Sequence, residues 1–220
     1  GPAATTANYA VDTLVPTISS VTAGWGTSLN ATEDNSAGTV TVVTSGAENG
    51  QTVTVALNGT NYTGTVSNNS TSVTVAAAGL QALTDGSSYT LTTNVSDAAG
   101  NAATENTGTS FTYDITAPSV NSFTLSDTAL KAGDNATVTL VFSEAVASFS
   151  SAADITVANG TLATMTSADN ITWTGTFTPT ANTEDASNTL SLATSYTDTA
   201  GNAGPAATTA NYAVDTLLPT

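Results

Sequence analysis

The 220-residue sequence predicts an all-β chain of two tandem sandwiches, and three observations carry that expectation. The first is a long repeat. Gly1–Thr17 (GPAATTANYAVDTLVPT) returns as Gly204–Thr220 (GPAATTANYAVDTLLPT), differing only where Val15 becomes Leu218. The second is a shorter period inside it: Asp12, Asp114 and Asp215 each begin an Asp-x-x-x-Pro run, ending at Pro16, Pro118 and Pro219, at spacings of 102 and 101 residues. The third is the texture between these markers. Short runs alternate Thr with Val, Leu or Tyr and are separated by Gly, Asn, Asp and Ser clusters, the pattern of half-buried strands joined by turns. No amphipathic helix stands out, and Ala76–Leu83 is at most one helical turn.

Taken in order, the first module is expected to hold strands near Thr17–Ala23, Thr39–Thr44, Thr52–Asn58, Tyr62–Val66, Ser72–Ala76, Ser88–Ser96 and Thr109–Asp114. The second repeats the plan near Ser119–Ser126, Ala136–Ser143, Asp154–Ala158, Leu162–Thr166, Ile171–Thr178, Leu190–Thr197 and Thr209–Asp215. About seven short strands per module suggest an immunoglobulin-like sandwich. The expected boundaries are 1–15 for an orphan final strand of a previous repeat with its linker, 16–117 for module one, and 118–220 for module two with the start of the next linker. A period this long points to an array of domains, of which the chain is one repeat, so function is sought in the array.

Composition narrows the chemistry. Cys and His are absent, and Lys131 is the single base against 17 acids, a formal charge of −16. Disulfides, thiol or imidazole catalysis and structural zinc are thereby excluded, and oxygen ligands alone remain for a metal. Nucleic acid and anionic membrane faces both require Lys and Arg, so neither is an expected partner. No apolar run approaches the 18 residues of a membrane span, and no secretory leader is legible. Enzymatic activity is not expected, because no neutral-pKa base constellation exists and small sandwiches seldom supply a hydrolase cleft.

A second marker keeps phase with the first. Asp97-Ala-Ala-Gly100-Asn101 and Asp198-Thr-Ala-Gly201-Asn202 each stand 17 residues before an Asp-x-x-x-Pro run. In an immunoglobulin-like sandwich the loops joining strands B to C and F to G share the pole where the chain enters. Asp12, Glu48, Asp97 and Asn101 should therefore converge in module one, and Asp114, Glu144, Asp154, Asp198 and Asn202 in module two. Asp215 opens the next such site. Carboxylates on Asn- and Gly-rich loops are the oxygen cage that Ca²⁺ requires. Set against this, an Asp or Asn beside Gly in a loop commonly serves turn chemistry alone.

The motifs also carry a resemblance. Thr52-Val-Thr-Val-Ala-Leu-Asn-Gly, Leu83-Thr-Asp-Gly-Ser-Ser-Tyr-Thr-Leu and Asp97-Ala-Ala-Gly-Asn resemble the bacterial Ig-like repeats of giant surface adhesins. Val138-Thr-Leu-Val-Phe-Ser-Glu-Ala-Val, Ala153-Asp-Ile-Thr-Val-Ala-Asn-Gly-Thr-Leu and Phe177-Thr-Pro-Thr-Ala-Asn are similar to a sister subtype. The resemblance implies extender repeats of an RTX-type adhesin exported by type I secretion, projecting a distal binding domain for cell adhesion and biofilm formation. It further implies calcium-stiffened junctions, an extracellular bacterial surface location, and a monomeric rod whose partners are the neighbouring repeats of the same chain. Two alternatives stand beside it. The modules could themselves bind a carbohydrate, ice or a host surface through a Thr-bearing face such as Thr39-Val-Thr-Val-Val-Thr, or the orphan strand could pair with another chain in a surface filament.

Overall fold

In the computed structural model, which describes residues 9–219, the chain divides after Asp114 into two compact units, each with its own apolar core. The first unit contains β1 (Thr17–Ala23), β2 (Ser28–Leu29), a 3₁₀ turn (Glu33–Asn35), β3 (Gly38–Ser45), β4 (Thr52–Leu57), β5 (Thr60–Thr65), β6 (Ser70–Val75), the helical turn α1 (Ala77–Leu80), β7 (Ser87–Tyr89), β8 (Thr92–Val95), β9 (Asn106–Thr107) and β10 (Phe111–Tyr113). One layer runs β1-β3-β6; the other runs β5-β4-β8-β9 and is continued by β7-β10-β2. Every pairing is antiparallel except β2 alongside β10. This is an immunoglobulin-like sandwich: strands A, B and E are β1, β3 and β6, strand C is β4, strand F is β7 with β8, and strand G is β9 with β10.

The second unit contains β11 (Val120–Leu125), β12 (Ala129–Lys131), β13 (Ala136–Phe142), the helical turn α2 (Ser151–Asp154), β14 (Ile155–Val157), β15 (Gly160–Leu162), β16 (Thr172–Pro179), β17 (Glu184–Asn188), β18 (Leu190–Leu192), β19 (Ala207–Thr208) and β20 (Tyr212–Asp215). Its layers are β11-β13-β16-β15 and β14-β18-β19, the latter continued by β17-β20-β12. Strand G is β19 with β20, and β12 runs parallel to β20 as β2 does to β10.

Two-residue periodicity explains the cores. On β3, Val40, Val42 and Thr44 face inward, while Thr39, Thr41 and Val43 face water. Val53, Val55, Val73 and Val75 meet them from neighbouring strands, capped by Trp25, Leu80 and Phe111. The second core is more aromatic: Phe142 lies 4.9 Å from Tyr196 and 5.6 Å from Phe149, ring centre to ring centre. Outward, both units carry hydroxyl rows across strands A, B and E. In the first, Thr22 stands opposite Thr41 and Thr41 opposite Ser72; in the second, Thr124 opposite Thr139 and Thr139 opposite Thr174.

The structure departs from the expected strands in several places. The run expected at Leu190–Thr197 ends as a strand at Leu192, one residue before the Ala193 N–H donates to the Asp154 carbonyl at the end of α2. Glu184 and Asp185, which fall outside every expected strand, lie in β17. Of the expected orphan strand, Gly1–Asn8 lies outside the described residues, and Tyr9–Val15 forms no strand.

Candidate metal centre

Both F–G loops are built alike, and the sequence says why. Gly100 and Gly201 hold φ of +95° and +98°, a left-handed turn that a side chain resists. The Asp97 N–H donates to the Asn101 carbonyl and the Asp198 N–H to the Asn202 carbonyl, each at 3.1 Å. In the first loop the Asp97 carboxylate accepts the Asn101 N–H at 2.7 Å and its Nδ2 at 2.8 Å. The amide of Asn101 stabilises the charged form and holds the Asp97 carboxyl below its usual pKa. In the second, Asp198 Oδ1 accepts the N–H groups of Ala200, Gly201 and Asn202 at 2.7–2.9 Å, while Oδ2 accepts Asn202 Nδ2 at 2.8 Å. Four donors on one carboxylate explain how Asp198 is tolerated at 1% exposure.

Other elements bring further acids to this pole. Pro118 is buried, and the Ser119 N–H donates to Ser143 Oγ at 2.8 Å, so the entering chain is tied to the loop after β13. Val146 bridges to Asp198, and the Ala147 N–H donates to the Thr197 carbonyl at 2.9 Å. Glu144 is fixed between those anchors. As a result Asp114, Glu144 and Asp198 each present a carboxylate oxygen within 4.8 Å of the others. Among the described residues this is the one such three-acid group. Oxygens about 2.4 Å from a calcium ion lie at most about 4.8 Å apart, so the donor set fits a hard cation in chemistry and in span.

The remaining candidates sit as follows. In the first unit Glu48 Oε2 accepts the Ala98 N–H at 2.8 Å, and Asn101 Nδ2 donates to the Asp12 carbonyl at 3.1 Å, so all four expected residues meet at one pole through hydrogen bonds. Asp12 Oδ1 also accepts the Leu14 N–H at 3.0 Å. Asp154 is buried at the end of α2, where it accepts the Ser150 N–H at 2.7 Å and the Ser195 hydroxyl, and it is not one of the three. Asp215 ends β20 opposite Lys131 and Glu184. Sequence reasoning passed over the Asp34–Tyr113 pair: the buried Tyr113 hydroxyl donates to Asp34 Oδ2 at 2.7 Å. Burial and that carboxylate push Tyr113 up to about 12. Only the solvent-excluded position of a tyrosine on strand G could have signalled it.

The fold and its acidic pole define a tandem of immunoglobulin-like modules. Residues 114–214 match the family model of a bacterial Ig-like domain, and the second sandwich is such a domain. No curated protein sequence matches the chain. Among solved structures, it is similar to part of a 1.5-MDa bacterial ice-binding adhesin, at 27% identity over 92% of this chain and 65% of that one, with a TM-score of 0.47. A Ca²⁺-stabilized adhesin with which an Antarctic bacterium binds ice aligns at 27% identity over 93% of this chain and 50% of that one, TM-score 0.47. A bacterial immunoglobulin-like domain of the M. primoryensis ice-binding adhesin aligns at 33% identity over 46% of this chain and 96% of that domain, TM-score 0.32. The chain thus spans 65% and 50% of the first two. Among the described residues no helix is long and apolar enough to cross a membrane.

Proposed function

We propose that these modules are non-enzymatic spacer repeats of a large extracellular bacterial adhesin, and that calcium held where the chain enters a module stiffens the array. The observation that carries the reading is the convergence of Asp114, Glu144 and Asp198 within 4.8 Å, drawn from three separated segments. The two phase-locked markers supply the outer members, and the loop after β13 supplies the third. Three carboxylates so close repel one another unless a cation is present. Lys131 is the only base in the sequence, so a metal ion is the natural counter-charge. With ligands also provided by neighbouring backbone carbonyls, the affinity belongs to the weak extracellular class, on the order of 10⁻⁴–10⁻³ M.

Pro16 and Pro118 contribute without metal, since each fixes φ and biases the preceding residue to extended geometry. Where calcium is scarce the entering segment is held by less, which suits export of an unfolded chain. The partners in this reading are neighbouring repeats of the same chain, on a monomeric molecule at the cell surface.

The test is calcium titration with thermal melts and small-angle scattering on the same samples, in millimolar Ca²⁺ and in excess chelator. At about 10 mM Ca²⁺, a hundredfold excess over a Kd of about 10⁻⁴ M, binding is expected to add about 2.7 kcal/mol to the second unit. For a module of about 100 residues that raises Tm by roughly 10 °C or more. Glu144→Gln, which keeps the side-chain shape at a half-buried position and leaves the Asp198 network intact, should remove most of the calcium-dependent part of the shift. Identical melts and scattering curves with and without calcium would sink the proposal.

A further inference from the structure

The dipeptide Asn-Gly occurs three times in the sequence, at Asn49-Gly50, Asn58-Gly59 and Asn159-Gly160, and the fold treats the three differently. An asparagine carboxamide can be attacked by the backbone nitrogen of the next residue, and a glycine there has no side chain to obstruct the approach. We infer that Asn58-Gly59 is a site of spontaneous covalent modification, where asparagine becomes aspartate and isoaspartate through a cyclic imide, while the other two pairs are protected by their bonding.

The step balances with water alone. The Gly59 nitrogen gives its proton to solvent and attacks Asn58 Cγ; an N–Cγ bond forms, the Cγ–Nδ2 bond breaks, and the amide nitrogen leaves as ammonia with a proton taken from solvent. Water then adds to one of the two carbonyls of the imide ring. Opening at Cγ leaves aspartate, and opening at the main-chain carbon leaves isoaspartate, with the backbone now running through Cγ. Nucleophile and carboxamide must both be free to approach each other.

Only one pair has that freedom. Asn58 and Gly59 form the exposed tip between β4 and β5, closed by the Leu57 and Thr60 pair. Among the described residues neither the Asn58 carboxamide nor the Gly59 N–H has a hydrogen-bond partner, and the space beside the Gly59 Cα is open. Asn49 is also exposed, but its Oδ1 accepts the Asn68 N–H at 2.7 Å and the Gly50 N–H donates to the Val66 carbonyl at 3.0 Å, so the nucleophile is occupied. Asn159 is half-buried, and its Nδ2 donates to both Asp185 and Asn188. The leaving group is thus tied down, and an aspartate product would face the Asp185 carboxylate.

Isoaspartate lengthens the main chain by one methylene at a turn that allows only two residues. The pairing of Leu57 with Thr60 should loosen, and with it β5, the edge strand of its layer. Because water is the only reactant consumed, the altered fraction grows with the age of the chain.

The test ages the intact chain in warm, mildly alkaline buffer and follows each site by peptide mapping with mass spectrometry, isoaspartate being labelled with isoaspartyl methyltransferase. In the folded chain Asn58 is expected to outrun Asn49 and Asn159 by at least about fivefold. In denaturant, where only local sequence remains, the three rates should converge. Asn58→Gln should remove the modification at the tip and, with it, the age-dependent rise in hydrogen exchange across β5. A smaller lead in the folded chain, a lead that survives denaturant, or exchange in β5 that does not follow the modification overturns the inference.

Discussion

The two sandwiches follow strand C with the same dipeptide and put it to opposite uses. In the first, Asn58 and Gly59 hold φ of +48° and +77°, the two left-handed residues of a tight hairpin, and β5 folds back on β4. In the second, Asn159 holds φ of +47°, but Gly160 is not left-handed, and the chain crosses to pair with β16 in the other layer. Asn159 is anchored there by donating Nδ2 to Asp185 Oδ2 at 2.8 Å and to Asn188 Oδ1 at 2.7 Å. Gly160 is required for room: a methyl group would overlap the Phe177 ring and stand 2.8 Å from the Thr178 carbonyl. Asn-Gly therefore marks where a strand ends, while packing decides which layer receives the chain.

The largest effect that separates the two glycines should come from Gly160→Ala. Overlap with a fully buried ring and a strand carbonyl is expected to cost the second unit about 3 kcal/mol. Gly59→Ala has open space around it and should cost the first unit about 1 kcal/mol, through its φ alone. Asparagine tolerates that φ, so Gly59→Asn should recover most of the loss, whereas Gly160→Asn should be worse than alanine. Residue-resolved hydrogen exchange separates the two units, and equal responses at the two glycines would break the comparison.

A second contrast lies on strand G. Tyr113 gives its hydroxyl to a buried carboxylate and Tyr212 to a backbone carbonyl, yet burial pushes each up to about 12. Tyr113→Phe should cost the first unit about 2 kcal/mol, because it leaves Asp34 buried without that donor. A raised folded pKa means that the native state holds protons which the unfolded chain releases above its value near 10. Both units should then be stable below about pH 10 and lose stability as pH rises toward 12. Tyr113→Phe should flatten this alkaline loss in the first unit only, and an unchanged pH profile would contradict the assignment.

The smallest expected effect has the opposite sign. Thr44, Thr71 and Thr93 turn inward in the first unit, and their hydroxyls have no hydrogen-bond partner. Among the described residues of the second core, the buried Thr209 and Thr216 hydroxyls are bonded. Thr93→Val should therefore stabilise the first unit by about 1 kcal/mol, and a loss instead would place an unseen partner on that hydroxyl.

Much of this was legible because period-two alternation and phase-locked markers act locally. The bounds Thr17–Ala23 agree with the sequence expectation: Ile18, Val21 and Ala23 turn inward and Thr17, Ser20 and Thr22 outward, although the register shift near Ser19 and Ser20 breaks the strict alternation. The acids of the pole were legible through the fixed offset of Asp97 and Asp198 from Asp114 and Asp215. What escaped was whatever depended on long-range packing. Strands of two or three residues, such as β2 and β12, have too few positions to show alternation. The layer chosen by β15 depends on Phe177, 17 residues away in sequence. Glu48 and Glu144 look equivalent as acids following strand B, yet one binds an F–G loop N–H while the other joins two carboxylates.

The hydroxyl rows on strands A, B and E have a consequence for crowding. Of the 17 acids, only Glu184, Asp185 and Asp215 lie in strands, so those broad faces are almost free of charge and equally poor in exposed hydrocarbon. Two such faces pressed together would strip water from hydroxyls that find no partner opposite, with little greasy area gained in return. Such faces stay hydrated and offer neighbouring copies little apolar area on which to associate.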